Sequence, residues 1–196
     1  DRINGKNNLK GEFSFIFEKK NGKLLYKAND ETFEEIYKSK DDPWNQSDLT
    51  DKYYEFTRNK IFELLSYHKE EGLKILELGC GNGFSTNYLK SKLQDKNWEF
   101  YGCDISPTAV KKAKEKYKDI NFFVHNIKNK LKVENNFDIV IFGDMLWYIL
   151  DDLKECISNS LEVTNKEVIF YNAFLKEQKY GKEIINGYEG FKNFCD

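Results

Sequence analysis

Residues Lys74–Phe84 read Lys-Ile-Leu-Glu-Leu-Gly-Cys-Gly-Asn-Gly-Phe. Ile75, Leu76 and Leu78 form a short apolar run, the pattern of a strand buried on both faces of a parallel sheet. The run stops at Gly79, Gly81 and Gly83, and a helical pattern follows over Ser85-Thr86-Asn87-Tyr88-Leu89-Lys90. Strand, glycine turn and helix in this order form a nucleotide-binding arrangement. Glycine lets the backbone approach a ligand closely, and the helix points its free N–H groups toward it.

Spacing separates two cofactor classes. The dinucleotide fingerprint G-x-G-x-x-G would require glycine where Phe84 stands. The chain reads Glu77-x-Gly79-x-Gly81-x-Gly83, which resembles the first motif of the Rossmann-like (class I) S-adenosylmethionine-dependent methyltransferases. The resemblance implies that Glu77, Gly79, Cys80, Gly81 and Gly83 wrap the amino-acid and ribose parts of S-adenosylmethionine, a cofactor without phosphate. From the residues alone, the alternative is a glycine-rich turn with no ligand.

Three positions downstream extend the resemblance. In Phe100-Tyr101-Gly102-Cys103-Asp104-Ile105-Ser106-Pro107, Asp104 falls at a strand end and can accept hydrogen bonds from both ribose hydroxyls, with Ile105 beside it. Ser106 and Pro107 suit the N-cap and first turn of a helix; alternatively Asp104 itself is the cap. In Phe123-Val124-His125-Asn126-Ile127, the family places an acid and a small or apolar residue against the adenine amino group. Asn126 and Ile127 take those places here, and the Asn126 carbonyl keeps the acceptor. In Phe137–Ile149, the backbone at Gly143 and Asp144 is expected near the methionine part. Asp144, Trp147 and Tyr148 are expected to line the space where the methyl leaves. Asp144, Tyr148 and His125 are the candidate general bases for a hydroxyl acceptor, with a structural role as the alternative for His125. The Asn/Asp-Pro-Pro-Tyr/Phe motif of exocyclic-amine DNA methylases is absent, so no DNA partner is expected.

Asp42-Pro43-Trp44, with Lys52-Tyr53-Tyr54-Glu55 and Arg58, loosely resembles the N-terminal region of nodulation-type N-methyltransferases. That resemblance implies that Trp44 folds over the cofactor; a packing plug is the equal alternative.

Around these motifs the pattern predicts an α/β fold, a doubly wound, mostly parallel sheet with helices on both faces. Strands are expected at Lys74–Leu78, Trp98–Cys103, Asn121–Val124, Asp138–Phe142 and Val168–Tyr171. Helices are expected at Ser85–Leu93, Pro107–Tyr117 and Leu153–Leu161. Residues 71–196 form this cofactor-binding core, expected to lack the last strands of the family fold. Either the chain is an excerpt of a longer product, as the first residue Asp1 also suggests, or an N-terminal hairpin fills the sheet edge. Residues 1–70 form that hairpin and a helical cap. Residues 1–10 read as a loose tail, Glu12–Phe17 and Lys23–Lys27 flank Asn21-Gly22, a hairpin signal, and two helices follow. The first spans Asp30–Lys40 with Phe33, Ile36 and Tyr37 on its apolar face. The second spans Asp51–His68 and is capped by Ser47 or Asp48. A further helical hint lies at Tyr180–Ile185, and Lys111–Lys116 reads as a solvated face.

Composition narrows the partners. The 31 basic and 33 acidic side chains give a net charge of −2, and Arg2 and Arg58 are the only arginines, which argues against nucleic-acid recognition. Four cysteines without a C-x-x-C pair and two histidines make a zinc site unexpected; the cysteines read as free thiols of a reducing, cytoplasmic compartment. No membrane span is expected. The expected activity is methyl transfer from S-adenosylmethionine to O or N of a small-molecule or glycan acceptor in a bacterial setting. The alternatives are a protein or RNA methyltransferase, or a non-catalytic partner subunit. The hairpin offers a homodimer contact.

Overall fold

The computed structural model describes residues 16–134, 136–174, 178 and 180–195. The expected tail and the start of the first hairpin strand, through Phe15, lie outside them. Strand β1 (Phe17–Lys20) pairs antiparallel with β2 (Lys23–Tyr26). Asn21 and Gly22 turn the hairpin with φ of 50° and 76°, the left-handed pair a tight hairpin needs. Helix α1 (Asp30–Ser39) is N-capped by Asn29, whose side chain accepts from the Thr32 N–H while the Thr32 hydroxyl accepts from the Asn29 N–H. Helix α2 (Lys52–Ser66) is capped by Asp51, not by Ser47 or Asp48. Asp48 is already engaged with Thr50.

The main sheet has five parallel strands: β3 (Lys74–Leu78), β4 (Glu99–Asp104), β5 (Asn121–Val124), β6 (Phe137–Gly143) and β7 (Thr164–Tyr171). Their order is β5-β4-β3-β6-β7, with Ile75 opposite both Phe100 and Ile139. The hairpin does not extend this sheet; among the described residues it forms a separate two-stranded sheet. Side chains along β3 and β6 alternate between two cores. Ile75, Ile139 and Ile141 pack with α2, α3 (Phe84–Lys92) and α4 (Pro107–Lys116) on one face. Leu76, Leu78, Val140 and Phe142 pack with α5 (Leu153–Glu162) and α6 (Gly187–Cys195) on the other. Helix α6 replaces the helix expected at Tyr180–Ile185. Its Phe191 ring packs edge-on against Phe170 at 5.2 Å between centroids. Cys80, Cys103 and Cys156 are buried free thiols. No described helix is long and apolar enough to cross a membrane.

A third, smaller cluster joins Ile16, Phe17 and Ile36 to Trp44, Tyr148 and Tyr180. It seats the hairpin and α1 over the carboxyl ends of the strands.

Candidate functional site

The chain winds outward through β3, β4 and β5, then crosses back to β6. The carboxyl ends of β3 and β6 therefore flank the switch point where open α/β sheets bind ligands. A cavity of about 390 Å³ lies there. Its floor comes from Gly79 after β3, Asp104 and Ile105 at the end of β4, His125 to Lys128 after β5, and Gly143 to Met145 at the end of β6.

Asp104 organises that floor. Its Oδ2 accepts the Gly81 N–H and its Oδ1 the Ser106 N–H, both at 2.9 Å. The carboxylate thus ties the glycine loop to the start of α4, while each oxygen keeps acceptor capacity for a ligand. Ser106, not Asp104, is the N-cap of α4, accepting from the Ala109 N–H at 3.1 Å. Burial pushes the Asp104 pKa up to about 6 against the pull of the two N–H bonds. Glu77 lies behind the loop, buried, accepting from the Thr86 hydroxyl. Burial pushes its pKa up to about 7, opposed by that bond and by the buried Arg58.

The rest of the glycine loop shapes the floor without lining the cavity. Only Gly79 reaches it; Glu77, Cys80, Gly81 and Gly83 do not. Cys80 packs into the core below. Gly83 starts α3 at φ 76°, and a Cβ there would lie 2.5 Å from Phe122 Cζ.

The roof is aromatic. Tyr26, Phe33, Tyr37, Trp44, Tyr53 and Tyr54 line it from the hairpin, α1, the 41–51 segment and α2. Trp44 Nε1 donates to Tyr37 Oη at 2.9 Å, and Tyr54 Oη donates to the Trp44 carbonyl at 2.7 Å. Tyr148 lies against Phe33 and Trp44, with centroids at 5.4 and 6.1 Å. Polar contacts fasten the roof to the floor. Glu34 of α1 accepts from the Ser106 hydroxyl (2.6 Å) and from the Thr108 N–H (3.0 Å) and hydroxyl (2.6 Å). Burial acts to raise the Glu34 pKa, but these bonds prevail and bring it down to about 2. Lys112 donates to the carbonyls of Tyr37 and Lys40 at the end of α1, so the lysine run is not wholly solvated. Asn126 donates to Asp30 at 2.9 Å, and its carbonyl accepts the Lys128 N–H at 3.1 Å.

Asp144 sits in the left-handed region at φ 55°, unusual for a residue with a side chain. Its N–H donates to the Tyr171 carbonyl at 2.8 Å, which fixes it. Burial and then the Asp144 charge hold the Tyr53 phenol far above its ordinary pKa. Burial lowers the His125 pKa, so the ring is neutral at pH 7.

The structure therefore brings Trp44, Gly79, Asp104, Ile105, His125, Asn126, Ile127, Gly143, Asp144 and Tyr148 to one cavity. Phe33 and Tyr37, on the apolar face expected for their helix, also serve the roof. Gln46, Tyr53 and Met145 carried no separate site signal, although Tyr53 stands inside the tyrosine pair noted near Arg58.

The cavity fits S-adenosylmethionine on its own features. Trp147 Nε1, in the wall, is buried with no hydrogen-bond partner among the described residues, as expected of a donor awaiting a ligand. Gly79 takes φ 67°, a left-handed conformation that favours glycine, and a Cβ there would lie 3.0 Å from Met145 Sδ. Asp104 keeps acceptor sites for a ribose diol. The nearby charged side chains are mostly aspartates, which suits a positively charged sulfonium.

Comparisons with known proteins agree. A family model for a methyltransferase domain matches residues 69–186. Malonyl-[acyl-carrier protein] O-methyltransferase of Bacillus anthracis is 29% identical over 114 residues, 56% of this chain and 42% of that protein. Release factor glutamine methyltransferase of Dictyoglomus turgidum is 28% identical over 125 residues, 62% of this chain and 39% of that protein. The matched stretch thus spans less than half of these curated relatives. Among solved structures, N-methyltransferase NodS of Bradyrhizobium japonicum WM9, in complex with S-adenosyl-L-homocysteine, superposes with a TM-score of 0.59 at 20% identity. The match covers 73% of this chain and 72% of NodS, a likeness of fold. PH0226 protein of Pyrococcus horikoshii matches with a TM-score of 0.55 at 28% identity, over 66% of this chain and 58% of that one.

Proposed function

The chain belongs to the methyltransferase-domain family, and on that premise we propose that it transfers a methyl group from S-adenosylmethionine to an O or N atom of a small-molecule or carbohydrate acceptor. The observation that carries this reading is a single cavity at the switch point that gathers Gly79, Asp104, Asn126 and Asp144. We read residues 71–196 as the cofactor-binding part and residues 1–70 as its cover.

When bound, S-adenosylmethionine supplies a methyl carbon on a positively charged sulfur. Asp104 would accept the ribose hydroxyls with the acceptor sites its two N–H bonds leave open. Asn126 would meet the adenine edge through its carbonyl, and Trp147 Nε1 would donate to a ligand acceptor. The aromatic roof would exclude water and hold the acceptor in line, where most of the rate gain arises. The Tyr53 phenol stays protonated, so it orients rather than removes a proton. Asp144, or neutral His125, would take the proton from a hydroxyl acceptor. A roof laid over the strand ends suits entry by a small molecule.

Calorimetric titration with S-adenosylmethionine and S-adenosylhomocysteine, with NAD as control, tests the reading. Micromolar binding of both sulfur nucleosides without NAD binding is expected. Binding of NAD alone, or of none by a folded protein, would overturn it.

A further inference from the structure

At the nucleoside end of the cavity an amide stands where the resemblance places an acid. Asn126 follows β5 there, and the proposed reading sets it against the adenine edge. A carboxylate presents an oxygen whichever way it turns. A carboxamide presents an oxygen on one side and an NH2 on the other. Turned the wrong way, Asn126 would aim donors at the adenine amine, itself a donor.

Two partners fix which way the amide lies. Asn126 Nδ2 donates to the Asp30 carboxylate at 2.9 Å, and Asn126 Oδ1 accepts the Lys128 N–H at 3.1 Å. A carboxylate only accepts and a backbone N–H only donates, so neither bond survives a flip. Oδ1 carries two lone pairs, and the Lys128 N–H uses one. The Lys128 ammonium is held by Asp152 at 2.6 Å. Asp30 is the first residue of α1, so this partner comes from the roof. Asp30 and Asn126 both line the cavity.

We propose that Asp30 is a positioning residue for the cofactor's base: it holds the Asn126 amide with its carbonyl oxygen toward the adenine amine. The roof thereby restores the oxygen that an acid after β5 would supply unaided. This rests on the methyltransferase reading. The consequence is selectivity for a 6-amino purine. A 6-oxo purine presents an acceptor at the same place and needs the flipped amide. The flip would break the Lys128 bond and set Oδ1 against the Asp30 carboxylate.

Calorimetric titration of the whole chain compares S-adenosylhomocysteine with S-inosylhomocysteine, in which a 6-oxo group replaces the 6-amino group of the base. The parent is expected to bind the adenosyl compound about tenfold tighter, the scale of one satisfied against one opposed hydrogen bond. Asp30→Ala should cut that ratio to about threefold, because only the Lys128 N–H then resists the flip. Loss of a roof fastener alone would weaken both nucleosides alike and leave the ratio unmoved. In an Asn126→Asp background there is no amide to turn, so Asp30→Ala should leave the ratio unchanged. Should Asp30→Ala fail to fold, Asp30→Asn keeps the size of the side chain and pairs with either amide orientation, so the same fall is expected. A parent without preference overturns the inference, as does a ratio that both Asp30 variants leave at the parent value. An equal fall in the Asn126→Asp background also overturns it. A parent that binds neither nucleoside would strike the methyltransferase reading itself. Binding of S-adenosylhomocysteine with an unmoved ratio strikes only the role of Asp30.

Discussion

The floor and the roof of the cavity are built on different principles. The floor is backbone: a glycine loop, strand ends and a buried carboxylate that accepts two N–H groups. The roof is side chains: rings held by hydroxyl and indole hydrogen bonds and fastened by Glu34, Lys112 and Asn126. A floor of this kind tolerates almost no change of shape. A roof of this kind loses its contacts one at a time.

Two glycines with the same φ of 76° give the sharpest contrast. Gly83 in the floor has Phe122 Cζ 2.5 Å and Ala113 Cβ 3.3 Å from where a Cβ would stand; Gly22 in the hairpin has nothing within 4 Å. Gly83→Ala is expected to cost about 2–4 kcal/mol, combining left-handed strain with overpacking. Gly22→Ala should cost only the strain, about 1 kcal/mol. Urea denaturation of both variants checks the difference. Equal losses would mean that Phe122 moves aside freely and the floor is not rigid.

Asp104→Ala comes next. The lost ribose contacts should weaken S-adenosylhomocysteine binding by about 1–3 kcal/mol, or about 5- to 150-fold. Stability should fall too, because the Gly81 and Ser106 N–H groups lose their acceptor. Calorimetric affinity and a melting curve separate the two. Parent-like binding by the folded variant would remove the floor from cofactor recognition.

Much of the floor was legible in the sequence because a buried parallel strand admits few residue types and a glycine turn fewer. Lys74–Leu78 and Asn121–Val124 stand as read, and the other core strands begin one to four residues from the expected positions. The role of the glycines was only half legible. The resemblance implies a cradle around the cofactor; a second demand on Gly83, that a Cβ there would meet Phe122, is set by a residue distant in sequence. The roof was hidden because an aromatic stripe looks alike whether it faces a core or a cavity. Phe33 and Tyr37 lie on the expected face of α1, but that face borders the cavity as well as the core. Helix α6 was missed because Gly187 and Gly190 interrupt its pattern, while its support comes from Phe170 and Phe174, distant in sequence.

Acid and base titrate floor and seam in opposite senses. Asp104 and Glu77 are raised by burial to about 6 and about 7. Between about pH 4 and 7 the folded chain holds protons that the unfolded chain has released, so their contribution to stability falls as pH rises. Affinity for the cofactor should rise over the same window, since the ionised Asp104 is the better acceptor. Glu34, lowered to about 2, contributes stability that is present above about pH 4.5 and lost as pH falls toward 2. Melting curves from pH 3 to 8 on the parent and on Glu34→Gln check this: the acid-side loss should shrink in the variant and the neutral-side slope should remain. A neutral-side slope that disappears in the variant would place that titration in the roof.

The smallest effect tests whether the roof senses the ligand at all. Trp44 and Trp147 both line the cavity, while Trp98 lies in the opposite core with its Nε1 donating to the Glu70 carbonyl at 2.8 Å. Cofactor binding should therefore change the emission of the first two and leave Trp98 unaltered. Trp44→Phe removes the indole bond to Tyr37 but keeps a ring beside Tyr148, so it should cost about 1 kcal/mol of stability and only the Trp44 share of the emission change. Trp98→Phe should leave the change intact. If Trp44→Phe keeps the full change, the indole packs without meeting the ligand. Recognition would then belong to the floor, and the aromatic roof would act only by excluding water.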